Sequence, residues 1–163
     1  MPYHLARCPA LAALLLVVLS IPARAQSAAQ TITIAVNAIN QIAFVGSPTL
    51  AITTATAGSA PTSATDATAT WAVTTNQTGA KITASIPTAM PAGLTLSASL
   101  APPAGATSSA YQPLGTTAVD LVTGISKLAQ SAMGVTYRLD ATPAAGVISS
   151  ATRLVTYTIT GGV

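Results

Sequence analysis

Residues 31–38 read Thr-Ile-Thr-Ile-Ala-Val-Asn-Ala, a strict alternation of polar or small residues with apolar ones. Side chains two apart on an extended chain point to the same side, so Ile32, Ile34, Val36 and Ala38 form one face. The pattern predicts a β-strand. Alternation specifies that one face is to be covered, but not what covers it. The strand serves either the sheet of its own molecule or that of a neighbour.

The same period recurs along the chain. Residues 42–45 continue extended, and residues 49–54 place Leu50 and Ile52 on one face. Residues 57–63, with Gly58 and Pro61, form a loop. Residues 68–75 alternate around Trp71 and Val73, Asn76-Gln77-Thr78-Gly79 has turn chemistry, and residues 81–86 align Ile82, Ala84 and Ile86. This arrangement predicts a β-hairpin with Trp71 as a core anchor.

Pro87 and Pro91 interrupt the next stretch, residues 94–100 alternate again, and residues 101–113 form a loop rich in small residues. Strands are expected over 117–122, 134–142 and 152–160, with a bend or short helical turn over 124–133. Many short strands with Gly/Pro/Ser punctuation predict an all-β chain: one antiparallel, immunoglobulin-like β-sandwich, with a small barrel as the alternative.

Composition supports this. Half of the 163 residues are hydrophobic and 6% are charged, which excludes the low-hydrophobicity, high-charge composition of disordered chains. Thr, Val and Ile are β-branched and suit a pleated surface. The length accommodates one core.

Residues 1–25 have the three parts of a secretory signal peptide: His4 and Arg7, an apolar run over 11–19, and Ala23-Arg24-Ala25 before Gln26. The expected organisation is therefore a signal peptide over 1–25, an N-terminal strand over 26–40 and a sandwich over 41–163, secreted and without a membrane span after cleavage. From Gln26 onward, four cations face three aspartates, a net charge of +1. That is no basis for nucleic-acid binding.

The same region contains no His, Cys or Glu. Serine or cysteine triads and His/Cys zinc sites are thereby excluded, and stability must come from packing and sheet pairing without disulfides. Asp66, Asp120 and Asp140 lie in separate segments, Asp66 in an expected loop and Asp140 beside Arg138 on a polar strand face. They read as surface charges rather than a catalytic pair. No calcium loop or phosphate-binding glycine pattern is present. The expectation is a non-enzyme without catalytic residues, cofactor or metal.

The order of export segment, alternating N-terminal stretch, Thr/Ala-rich strands and a last strand with a tyrosine near its end resembles bacterial pilus and spore-coat-type subunits. Those subunits assemble by donor-strand complementation. The stretches that carry the resemblance are Thr31-Ile32-Thr33-Ile34-Ala35-Val36 and Val155-Thr156-Tyr157-Thr158-Ile159-Thr160. Many members of that group have a disulfide, which the region after Gln26 does not allow. The resemblance implies a homopolymer in which Ile32, Ile34, Val36 and Ala38 of one subunit fill pockets of the next, at the cell surface. The alternative is a monomeric secreted module that binds a surface glycan or protein, with Tyr111 as the one aromatic residue in a loop. Ice binding through Thr-x-Thr arrays is disfavoured, because the arrays lack a fixed period.

Overall fold

The computed structural model describes residues 24–162. The expected signal peptide over 1–25 lies outside the described residues except for its last two. The chain divides into two units after Ala35. In the first, residues 24–35 carry no helix or strand and all are exposed. The second contains every strand among the described residues.

In chain order these are β1 (Asn40–Val45), β2 (Ala64–Thr75), β3 (Ala80–Ser85), β4 (Leu94–Leu100), β5 (Thr107–Ser108), β6 (Gln112–Pro113), β7 (Val119–Ile125), β8 (Leu128–Ala141) and β9 (Thr156–Thr160). One 3-10 turn, Pro143–Ala145, follows β8. A five-stranded sheet has the order β1-β2-β8-β4-β6, and a four-stranded sheet has the order β5-β7-β3-β9. Every ladder is antiparallel.

The expected all-β sandwich is therefore present. Its core draws from both sheets: Trp71, Val73, Leu96, Leu100 and Val135 from the first, and Ile82, Leu121 and Ile125 from the second, are all buried. On β3 the alternation is complete, with Ala80, Ile82 and Ala84 buried and Lys81, Thr83 and Ser85 half-buried. Trp71 is the core anchor expected of it, 1% exposed, and its Nε1 donates to the Ala101 carbonyl at 3.1 Å.

The hairpin expected between residues 68–75 and 81–86 does not form. β2 pairs with β1 and β8, whereas β3 pairs with β7 and β9 in the other sheet. After β2, each successive strand lies in the opposite sheet from the one before it. Residues 76–79 are thus a corner between sheets. Their polar groups are used accordingly: the Gln77 carbonyl accepts from Lys127 N at 2.9 Å, and Gly79 N donates to Ser126 Oγ at 3.1 Å. Those two bonds join this corner to the one between β7 and β8. A turn-forming sequence reverses chain direction equally well within a sheet or between two sheets, and the apolar faces decide. Here the buried residues of β2 and β3 meet from opposite layers.

Other expectations also fail locally. The strand expected over residues 31–38 is absent, and pairing begins only at Asn40. Residues 49–54 form no strand. Nearby is a single isolated bridge, Ala55 to Pro61, and Leu50 merely packs on the core edge. The bend expected over 124–133 is instead the end of β7 and the start of β8, separated by Ser126 and Lys127 alone, with Lys127 at φ 43°. Asp66 lies in β2 at a register shift, not in a loop. Gly46, at φ 121°, accommodates the close passage of β2: a Cβ there would stand 2.8 Å from the Ala69 Cα.

Candidate functional site

None of the three aspartates is free to act as a pair. The Asp66 carboxylate accepts from the Thr68 hydroxyl at 2.6 Å and from the amides of Thr49 and Thr68 at 2.9 and 2.8 Å. These bonds, the Thr68 hydroxyl foremost, hold its pKa below the ordinary value. It pins the 49–68 excursion to the bulge in β2. Asp120 pairs with Lys81 across the β3–β7 ladder at 2.9 Å. Asp140 pairs with Arg138 Nε at 2.9 Å and accepts from the Ser63 hydroxyl, which is the main cause of its lowered pKa. Among the described residues no three of His, Cys, Asp and Glu come together as metal ligands.

The aromatic side chains are gathered at one side of the sandwich. Phe44 on β1 stacks on Tyr157 of β9 with ring centroids 3.8 Å apart, and faces Trp71 at 6.1 Å. The hydroxyls of Tyr137 on β8 and Tyr157 on β9 are 2.6 Å apart and share a hydrogen bond. β1 and β8 belong to one sheet and β9 to the other, so Tyr157 ties the two layers together at their edge. Burial raises the pKa of both hydroxyls, and for Tyr157 the hydrogen bond with Tyr137 adds to it. Sequence periodicity predicts a strand around each tyrosine, over 134–142 and 152–160. It gave no sign that they touch, because they lie on different sheets.

Tyr111 stands apart, 38% exposed, with the Arg138 guanidinium 5.0 Å from its ring centre. That cation–π contact occupies one face of the ring.

No protein family, curated protein or solved structure matches this chain.

What remains is a set of sheet edges and an apolar segment. β1 and β9 each pair on one side only and contain no charged residue, while the two other edge strands, β5 and β6, have two residues each. Charge, which commonly guards a sheet edge against pairing with other chains, is thus absent from both long edge strands. The residues expected to act as donor are exposed: Ile32 is 75%, Ile34 88% and Val36 83% accessible, and Ala38 is exposed as well. Just beyond them the chain is anchored. Asn76 receives the Ile39 amide on its Oδ1 at 2.8 Å and donates through Nδ2 to the Asn37 carbonyl at 2.7 Å. Asn40 donates to Gln77 Oε1 and accepts from the Thr75 hydroxyl at 2.7 Å. Among the described residues no helix is long and apolar enough to cross a membrane.

Proposed function

We propose that this protein is an extracellular structural subunit that polymerises into a surface filament, pilus or matrix by β-strand addition, with residues 31–38 of one copy as the added strand. The observation that carries the reading is the pair of properties at Ile32, Ile34 and Val36: an alternating apolar face, exposed and outside any strand. A face of this kind is costly to leave in water. Covering three aliphatic side chains is worth ~1.5 to 3 kcal/mol each before ordering costs, and a full strand of main-chain bonds adds to it. The signal-peptide pattern over 1–25 supports export.

A second reading, a monomeric module that binds a glycan or protein, draws on the exposed Tyr111 beside Arg138. Tyrosine and arginine together suit polar, ring-shaped ligands.

The test compares protein starting at Gln26 with a version starting at Asn37, by light scattering and by electrophoresis without boiling. This truncation keeps the Asn37 carbonyl and the Ile39 amide that bind Asn76. Ladders or filaments from the longer protein alone, restored by an added 30–38 peptide, support strand addition. A stable monomer in both cases, with saturable binding to a glycan array, favours the second reading.

A further inference from the structure

The added segment and the last strand are near copies. Thr31-Ile32-Thr33-Ile34 and Thr156-Tyr157-Thr158-Ile159 agree at three positions of four, and Ile32 stands where the last strand has Tyr157. β9 lies at the edge of its sheet, paired only with β3, with Tyr157 opposite Ala84 and Ile159 opposite Ile82. From this correspondence we infer that residues 31–35 of one copy bind another by taking the place of β9 on β3, so that β9 is a built-in occupant of the acceptor edge. The inference rests on the strand-addition reading and names its acceptor.

Three observations favour exchange at β3 over addition at an outer edge. First, the space between the edge strands β1 and β9 is closed: their Cα atoms approach within 8 Å of one another, whereas a strand inserted between them needs about 4.8 Å to its neighbour on each side. Second, β5 and β6 are too short to template five residues. Third, β9 is only loosely attached to what precedes it. Residues 142–155 contain no strand, and Val147, Ile148 and Leu154 are 103%, 42% and 68% exposed. β9 therefore leaves β3 without disturbing another ladder, since its only strand partner is β3.

In the register of β9, Ile32 falls opposite Ala84 and Ile34 opposite Ile82, which puts both apolar side chains inward and Thr33 outward. Ile34 reproduces Ile159. Ile32 fills the site of Tyr157 but offers no hydroxyl to Tyr137 and no ring to Phe44. The resident strand is thus the better fit and is also tethered, which gives it a high effective concentration. An isolated molecule keeps β9 in place, and exchange requires a high local concentration of a second copy.

Two measurements test this. In the first, a 30–38 peptide is added to the unaltered protein and amide hydrogen exchange is followed. Exchange at β3 predicts that the amides of Thr156–Thr160 lose protection at least tenfold while those of Ala80–Ser85 keep theirs. Binding of the peptide with β9 protection unchanged or increased overturns the inference and leaves strand addition standing at another edge. In the second, the T83C/T158C variant links β3 to β9 at an outward-facing opposed pair, in a region that contains no other cysteine. The oxidised variant is expected to need at least tenfold more protein to assemble than the reduced one. If oxidised and reduced forms assemble alike and removal of residues 26–36 still abolishes assembly, exchange is wrong and strand addition is right. If neither the variant nor the unaltered protein assembles or binds the peptide, both are wrong.

Discussion

Residues 31–35 and β9 have almost the same residues and opposite fates. Ile32 and Ile34 are exposed in a segment without pairing, whereas Tyr157 and Ile159 are half-buried on a sheet edge. The difference lies in what surrounds each. β9 has β3 for its main chain, Phe44 for the Tyr157 ring and Tyr137 for the hydroxyl. Alternation makes a segment able to pair; long-range neighbours decide whether it does.

Removal of what distinguishes β9 is expected to have the largest effect on stability. Tyr157→Ala deletes the stack with Phe44 and leaves the Tyr137 hydroxyl without its partner. Truncating a buried aromatic costs ~3 to 5 kcal/mol, and Tyr157 is only partly buried, so a loss of about 3 kcal/mol is expected. In thermal unfolding this corresponds to a fall of roughly 10 °C. An unchanged midpoint would show that the edge is not closed by this residue.

A smaller effect, and one that β9 alone should show, follows from the tyrosine pair. Both hydroxyls have pKa values raised above 10.0 in the folded state, mainly by burial. The folded state therefore holds these protons more tightly than the unfolded one. Their contribution is complete below about pH 10 and is lost as pH rises beyond it. Denaturant midpoints measured between pH 8 and 11 should decline above pH 10. In the Tyr137→Phe/Tyr157→Phe double variant that decline should flatten, at a cost of about 1 kcal/mol near neutrality for the lost hydrogen bond. An equally steep decline in the double variant would assign the alkaline loss to other groups.

How far the sequence led depends on the kind of information each residue carries. Period-two patterning identified β4, the second half of β8 and most of β2 and β3, and it placed Trp71 and Ile82 inward, because facing is a local property of an extended chain. It failed for sheet membership. Asn76 to Gly79 have the composition of a tight turn, but Gln77 and Gly79 spend their hydrogen bonds on Lys127 and Ser126, some fifty residues away. It failed also for residues 31–38, where the pattern is real and the partner is missing. The aromatic edge of Phe44, Tyr137 and Tyr157 was illegible for the same reason: three residues on three strands become neighbours only through the fold.

One substitution makes the exposed segment more like β9. A 30–38 peptide with Ile32→Tyr restores both the ring for Phe44 and the hydroxyl for Tyr137 if it docks on β3. A new hydrogen bond is worth about 1 kcal/mol, so binding about fivefold tighter than the natural peptide is expected by fluorescence titration. Weaker binding would mean that Ile32 meets a site of a different shape from that of Tyr157.

The smallest effect on stability is expected from the segment itself, and it separates pairing ability from folding. Ile32 and Ile34 are 75% and 88% exposed, so Ile32→Ser/Ile34→Ser removes almost no buried surface from the isolated molecule. Its unfolding free energy should change by less than about 0.5 kcal/mol, as for surface substitutions in general. Assembly, by contrast, should be lost, since the alternating face is the part that a second copy covers. A destabilised monomer would show that these side chains are already buried at home. Intact assembly would show that the exposed alternation is not what joins the copies.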